Sequence, residues 1–189
     1  MRRLTLLLGA LLLVACGEHH SGPRTEADRG ARLAVRDTVP WTVSASAYGP
    51  IRMGSARAAV LAVLGAPPVR GQGAPQDACE YMGIPDSPLA RAVRFMVVDD
   101  TVVRVDVDSL PVATVWGDRV GDSEGAVIAR HAGHVRVEPH KYTGPDGHYL
   151  IVTAGDDTLH RVVFETDGHR VTAYRAGLRP YVDWVEGCS

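Results

Sequence analysis

The sequence is poor in lysine, phenylalanine and cysteine. Lys141 is the single lysine among 20 basic residues, and the chain has two phenylalanines and three cysteines. The 20 basic and 22 acidic residues leave a formal net charge of −2, so the basic excess that binds nucleic acid is missing and we expect no nucleic-acid partner. Hydrophobic residues make up 46% and charged residues 22%, which is typical of a folded globular chain and excludes disorder along its whole length.

The motifs of common catalytic and metal sites are also missing. The chain contains no HExxH, P-loop, GxSxG or paired CxxC motif. Its densest group of candidate metal ligands comprises His131, His134, His140, Asp146 and His148. His131 and His134 would suit a metal on one helix face, but Gly133 is expected to end that helix. We therefore predict a non-enzymatic protein with no catalytic residue, no cofactor and no metal site.

The longest apolar run lies at the N-terminus and is too short to span a bilayer. Arg2 and Arg3 precede the apolar segment 4–14, which has the length of a signal-peptide core, whereas a spanning helix needs about 20 residues. The segment ends in Leu-Val-Ala-Cys at 13–16, which resembles the lipobox of bacterial lipoproteins. The resemblance implies cleavage before Cys16 and lipidation of its sulfur. The alternative is a plain secretory signal with cleavage nearby.

Residues 1–15 are thus assigned to a lipoprotein signal peptide and residues 16–40 to a flexible tether, because the latter are polar and lack periodicity. Gly17 follows Cys16, which in Gram-negative bacteria resembles the pattern of lipoproteins sent to the outer membrane. We expect the chain to be held by its lipid in the cell envelope, on the periplasmic face of the outer membrane.

The remaining chain shows an internal repeat. The segment 52–61 aligns with 119–128 through matched Arg, Gly, Ala and Val positions, and further matches follow after a gap of one residue. Repeat unit 1 is assigned to 41–110, and repeat unit 2 with a C-terminal tail to 111–189.

Each unit is predicted to consist roughly of a short helix followed by three strands, and unit 2 has a fourth candidate strand. Ser55 and Asp122 are candidate helix caps. Strands are predicted at 78–82, 92–98, 102–107, 134–138, 149–154, 161–166 and 170–175. Asp99-Asp100-Thr101 and Asp167-Gly168 are hairpin signals. The predicted fold class is α+β: two tandem repeats of a short helix plus a three-stranded antiparallel meander, with the helices packed on one sheet face.

The strand at 102–107 alternates apolar and polar side chains. Its apolar set comprises Val103, Val105 and Val107, and its polar set comprises Arg104, Asp106 and the following Asp108. This alternation predicts one buried and one solvated sheet face.

These elements resemble two groups of small bacterial proteins. The segment 49–55, Gly-Pro-Ile-Arg-Met-Gly-Ser, leads into a short helix and a meander, and in this it resembles the SmpA/OmlA family of lipoproteins, which includes the BamE component of the outer-membrane β-barrel assembly machinery. The tandem arrangement is similar to the architecture of the β-lactamase inhibitory protein (BLIP). No segment matches a partner-binding motif of either group, so no binding residue is carried over.

Two cysteines remain once Cys16 is assigned to the lipid. Cys79 and Cys188 are predicted to form a disulfide, because an exported chain with two cysteines usually pairs them; the alternative is two free thiols. The chain-entropy model assigns about 4–5 kcal/mol to a cross-link that closes a loop of this length. The bond would tie the C-terminal tail, whose alternating pattern is compatible with an edge strand, to the first strand of unit 1.

The expected function is that of a lipid-anchored envelope lipoprotein that serves as a protein-interaction module. Its partner would be an envelope protein bound through an open sheet face, and outer-membrane assembly or maintenance is the most concrete form of this role. One alternative is an inhibitor or sensor that docks into an envelope enzyme through a loop such as the Asp156-Asp157 turn. The other is a small enzyme or metal-binding protein. Trp41, Trp116 and Trp184 are expected in the core or on a sheet face.

Overall fold

The computed structural model describes residues 41–65, 79–84, 89 and 92–188. Within these ranges the chain is mostly β-strand, arranged in two antiparallel sheets of three and seven strands. The signal peptide, the tether and the lipidation site Cys16 lie outside the described residues and stay predictions. No helix in the described ranges is both long enough and apolar enough to cross a membrane.

The described chain alternates short strands with two short α-helices. The small sheet consists of β1 (Val43–Ser44), β2 (Ala47–Tyr48) and β3 (Ile51–Arg52). It is followed by α1 (Arg57–Leu64), β4 (Cys79–Gly83), β5 (Val93–Val98) and β6 (Thr101–Val107). The second half contains α2 (Glu124–Arg130), β7 (Val135–Pro139), β8 (His148–Val152), β9 (His160–Thr166), β10 (Val171–Leu178) and a 3-10 helix (Tyr181–Asp183).

The seven-stranded sheet has the order β4-β5-β6-β10-β9-β8-β7. At its centre β6 pairs with β10, so that Tyr174 lies opposite Val107 and Gly177 lies opposite Arg104. This central pairing joins the strands that were assigned to two separate repeat units into one continuous sheet.

The predicted fold class, an α+β tandem repeat with helices packed on one sheet face, is wrong. The described chain is mostly β, and its two helices have only eight and seven residues. Each helix buries one residue, Val60 in α1 and Val127 in α2. The prediction gave the helices too much weight, because helices this short add little apolar area to a core that the strands already fill. The chain before α1 also forms a separate three-stranded sheet that the prediction did not contain.

Individual strands were easier to predict than their assembly. Each predicted strand of the large sheet begins within one residue of the observed start. Both hairpin signals are correct: Asp99 and Asp100, with φ of 46° and 61°, connect β5 to β6, and Gly168, with φ of 90°, lies between β9 and β10. The predicted caps are shifted, since the N-caps are Ala56 and Ser123.

One face of the large sheet forms the main core. Phe95 and Phe164 on this face pack with Tyr48 of the small sheet, Val60 of α1 and Val127 of α2, and all five are almost completely buried. The aromatic rings are in contact, with the Tyr48 and Phe95 centroids 6.0 Å apart. The core therefore lies between the large sheet and the small sheet, and each helix adds a single buried side chain to it.

The opposite face of the large sheet is covered by the C-terminal tail, defined here as residues 181–188. Val182 is fully buried on this face against Tyr149, Ile151 and Val163. The face expected to be open is therefore covered in part, and the tail begins with a 3-10 helix instead of forming an edge strand. The reason is that this face carries apolar side chains of its own, which the tail removes from water.

The tail is also tied covalently to the edge of the large sheet. Cys188 forms a disulfide with Cys79 of β4, and their Cα atoms are 5.5 Å apart. This confirms the predicted disulfide. Arg104 and Asp106, predicted to be solvated, lie beneath the tail, and the Arg104 residue is only 3% exposed.

Candidate functional site

A tight turn at 114–118, called the braced turn below, precedes α2. The Thr114 amide donates to the Asp118 carbonyl at 2.8 Å, which closes the turn. The Val115 amide donates to the Val43 carbonyl at 2.8 Å, which attaches the turn to β1. The backbone of the turn is thus held both internally and by the small sheet.

Asp118 is the centre of this brace, and its side chain is fully buried. Its Oδ2 accepts from Thr114 Oγ1 at 2.9 Å and lies 2.9 Å from His131 Nε2. Its Oδ1 accepts from Arg130 Nη1. Because both oxygens have partners, the cost of burying the carboxylate is offset by hydrogen bonds and by a nearby positive charge.

The same partners decide the protonation state of Asp118. Burial by itself would raise its pKa, but hydrogen bonds from His131, Thr114 and Arg130 outweigh burial and lower the pKa below the ordinary value of 3.8. The carboxylate is therefore charged at neutral pH and accepts hydrogen bonds from all of its partners.

The brace positions Trp116 at the surface. The Trp116 ring meets the His131 ring edge-on, with centroids 5.0 Å apart and planes at 84°. His131 is buried and is held in turn by Asp118. Val115 and Trp116 are nevertheless 53% and 36% exposed, so the braced turn presents two adjacent apolar side chains to solvent.

The hydrogen bond between Asp118 and His131 is of the kind that orients the histidine of an acid–base pair. In hydrolases such a pair acts on a nucleophile that hydrogen-bonds to the second ring nitrogen of the histidine. In the part of the chain that the structure describes, no hydroxyl or thiol makes that bond to His131. The Thr114 hydroxyl donates to Asp118 instead.

The histidines considered as metal ligands lie in different networks. His131 faces Asp118, His140 Nε2 lies 3.4 Å from Glu165, and His148 Nδ1 lies 3.0 Å from Glu124. Across the described ranges, no three His, Cys, Asp or Glu side chains are placed to hold a metal ion.

A second network of buried polar groups lies beneath the tail. Arg104 Nη1 donates to the carbonyl oxygens of Tyr181 and Trp184 at 3.0 and 2.6 Å. Its Nε and Nη2 donate to both carboxylate oxygens of Asp106 at 3.0 and 2.8 Å, and Nη2 also donates to the Tyr81 hydroxyl at 2.8 Å. One guanidinium therefore joins β6, β4 and the tail.

Arg175, on the neighbouring strand β10, also donates a hydrogen bond to a main-chain carbonyl of the tail. Its Nε donates to the Val182 carbonyl at 2.6 Å and its Nη1 to Glu165. A polar cleft of about 320 Å³ remains open beside the tail, lined in part by Arg94, Arg104 and Arg175. The tail thus leaves only part of this face accessible.

In the Asp156-Asp157 turn, which was considered as a contact for an enzyme, one aspartate side chain accepts hydrogen bonds from the neighbouring backbone. Asp157 Oδ1 accepts from the amides of Leu159 and His160 at 2.9 Å each. Asp156 is exposed beside it.

The braced turn was missed by the sequence prediction, which placed Trp116 in the core or on a sheet face. That expectation is wrong for Trp116, and Trp184 is also 39% exposed. The available signal was Thr114 four residues before Asp118 with Gly117 between them, a spacing that suits a side-chain-closed turn.

Comparisons with known proteins found no match to this chain. No protein-family model, no curated protein and no solved structure matches the chain. The likeness to SmpA/OmlA and to the β-lactamase inhibitory protein therefore remains an expectation drawn from short stretches of the sequence.

Proposed function

We propose that this chain is a non-enzymatic lipoprotein, anchored through Cys16 on the periplasmic face of the outer membrane, whose braced turn binds another envelope protein. The observation that carries the proposal is the exposure of Val115 and Trp116 on a turn that the buried Asp118 holds in place. A single exposed apolar side chain needs no explanation, but two on a turn with its own buried brace favour a contact surface.

Rigid presentation matters because binding normally has to order the side chains at an interface. Ordering a flexible side chain costs about 0.5–1.5 kcal/mol, and a side chain held in place before binding avoids most of this cost. Tryptophan is also enriched among the residues that dominate binding energy. The contact of Trp116 with His131 supports this role, since it restricts the indole without burying it.

Outer-membrane assembly or maintenance is the most concrete setting for the proposed partner. The lipobox-like segment that ends at Cys16, followed by Gly17, supports this setting. The alternative function, docking into an envelope enzyme through a loop such as the Asp156-Asp157 turn, differs in the surface used and in that the captured partner loses its activity.

Site-specific photo-crosslinking in cells tests the proposal. A photoreactive amino acid at Val115 should give a discrete cross-linked species that mass spectrometry identifies. The same group at Leu159, which is 62% exposed, should not give that species. Failure to obtain a species specific to position 115 contradicts the proposal.

The identified partner then allows a measurement of affinity. Trp116→Ala should weaken binding by about tenfold or more, as expected for a central aromatic contact. Trp184→Ala is the matched control, because Trp184 has a similar exposure of 39% but lies on the tail. Equal affinities of the folded Trp116→Ala variant and the unmodified chain would rule out the braced turn as the binding surface.

A further inference from the structure

A hollow of about 380 Å³ opens beside β7 at one edge of the large sheet. This basic hollow is lined by Gly133, His134, Arg136, Thr153, Gly155 and Arg161, together with two aliphatic side chains. Its lining contains two guanidinium groups and one imidazole but no carboxylate. The hollow is therefore a concave surface whose charged groups all have the same sign.

Arg161 makes few hydrogen bonds for a guanidinium that is largely buried. Its side chain is 11% exposed, and within the described ranges its one hydrogen bond runs from Nη1 to Asp183 Oδ1 at 3.1 Å. Its Nε is buried and has no partner there. Arg104, whose side chain is 4% exposed, uses all three of its nitrogens. Buried donors are normally paired with protein, water or an ion, so Arg161 has fewer partners than its burial leads us to expect.

The positive charge around Arg161 is only partly neutralised. Asp183 is shared between Arg161 and Arg179, whose Nε lies 3.5 Å from Asp183 Oδ2, and Arg136 pairs with Glu138. Three guanidinium groups thus share two carboxylates. Burial lowers the pKa of Arg161; Asp183 opposes this effect, and Arg179 and Arg136 lower the pKa further. An added anion would offset both the burial and the crowding of like charges.

We propose that the basic hollow binds an oxyanion of the phosphate type, held by Arg136 and Arg161 with the Thr153 hydroxyl as a further donor. Guanidinium groups suit this ligand because their N–H groups form paired hydrogen bonds to neighbouring oxygens. The phosphate can come from free phosphate or from the headgroup of a membrane phospholipid, since the recognised chemistry is the same. The proposal does not depend on protein binding by the braced turn.

Titration of the full chain in neutral detergent tests the site. The probes are inorganic phosphate and a short-chain phosphatidylglycerol below its micelle concentration. Binding is followed through amide chemical-shift changes in the protein. We expect saturable changes at 133–136 and 153–155. Phosphate binding identifies a free-anion site, and binding of the lipid alone identifies a headgroup site; either result supports the proposal.

Two variants separate a built site from general attraction between charges. Arg136→Gln alters a side chain that is 62% exposed, so the fold should survive, and it should weaken binding by at least about fivefold. Arg94→Gln is the matched control, because Arg94 is 50% exposed and also pairs with an acid, Asp108. The proposal is overturned if neither probe gives saturable shifts in the hollow, or if Arg94→Gln weakens binding as much as Arg136→Gln.

Discussion

The braced turn and the tail are each held by a buried charged side chain, but over very different distances along the chain. Asp118 binds Thr114 and His131, which are 4 and 13 residues away. Arg104 binds the carbonyls of Tyr181 and Trp184, which are 77 and 80 residues away. The Asp118 contacts need only the turn and the helix that follows it. The Arg104 contacts need the assembled large sheet, because β6 and the tail come from distant parts of the chain.

The two regions also differ in what the buried charge recognises. Asp118 is bound by the side chains of Thr114, Arg130 and His131, so the braced turn depends on those residue types. Arg104 and Arg175 bind main-chain carbonyls of the tail, which every residue possesses. A local brace is therefore specified by its side chains. The tail is held partly through its main chain, and also by the buried Val182 side chain, the Arg161–Asp183 ion pair and the Cys79–Cys188 disulfide.

The largest expected effect comes from removing that disulfide. Replacing both Cys79 and Cys188 by serine should lower the free energy of unfolding by about 3–5 kcal/mol, because the unfolded chain regains the freedom that the cross-link removes. Urea denaturation measures this change. Hydrogen exchange should become faster at the Asp183 and Trp184 amides, while the Thr114 amide of the braced turn stays protected.

A thiol reductant added to the unmodified chain is the control for this variant and should give the same pattern of exchange. Equal acceleration at Thr114 and Trp184 would contradict the view that the two regions are held independently.

A smaller effect is expected from Asp118→Asn, which tests the braced turn. The variant removes the buried charge that Arg130 and His131 face, and we expect the free energy of unfolding to fall by about 2–4 kcal/mol. Urea denaturation again provides the measurement. Asp108→Asn is the matched control: Asp108 is 44% exposed and pairs with Arg94, so its loss should cost less than about 1 kcal/mol. If the two variants lose similar amounts of unfolding free energy, Asp118 does not stabilise the braced turn.

The smallest expected effect is the dependence of the braced turn on acid. The pKa of Asp118 is lower in the folded chain than its ordinary value of 3.8, so between the two values the unfolded chain binds more protons. The stability contributed by Asp118 is thus fully present above about pH 4 and is lost as the pH falls through the folded pKa. Asp157 and Asp167 also have lowered pKa values, so wild-type unfolding alone does not isolate this contribution.

The difference in unfolding free energy between the unmodified chain and Asp118→Asn isolates it. This difference should shrink as the pH falls from about 5 to below about 4. A difference that grows over that range would show that the pKa of Asp118 is raised in the folded chain.

Local patterns predicted the strands well and their surroundings poorly. The alternation in β6 correctly indicated a strand whose Val105 and Val107 face the main core. It was wrong for Val103, which lies in a separate cluster with Cys79 and Cys188, and for Arg104, which is buried and not solvated. Alternation reports that the two faces of a strand differ, and it carries no information on what covers the second face. The covering tail lies far along the chain and could not be derived from the pattern of β6. Trp116 was misplaced for a similar reason, since its exposure depends on how Asp118, His131 and β1 meet.

The sequence by itself determined the strands of the large sheet, its two hairpins and the pairing of the cysteines, because each depends on neighbouring residues or on a small number of candidates. Only the tertiary structure decided that β6 and β10 join into one seven-stranded sheet, that the tail covers one face of it, and that Asp118 is buried beneath an exposed tryptophan. The first two features depend on contacts between distant segments, and the third depends on how the braced turn meets His131 and β1. Contacts between distant segments form because apolar sheet faces are removed from water and because buried charges need hydrogen-bond partners. Both conditions are met only when the whole chain has folded.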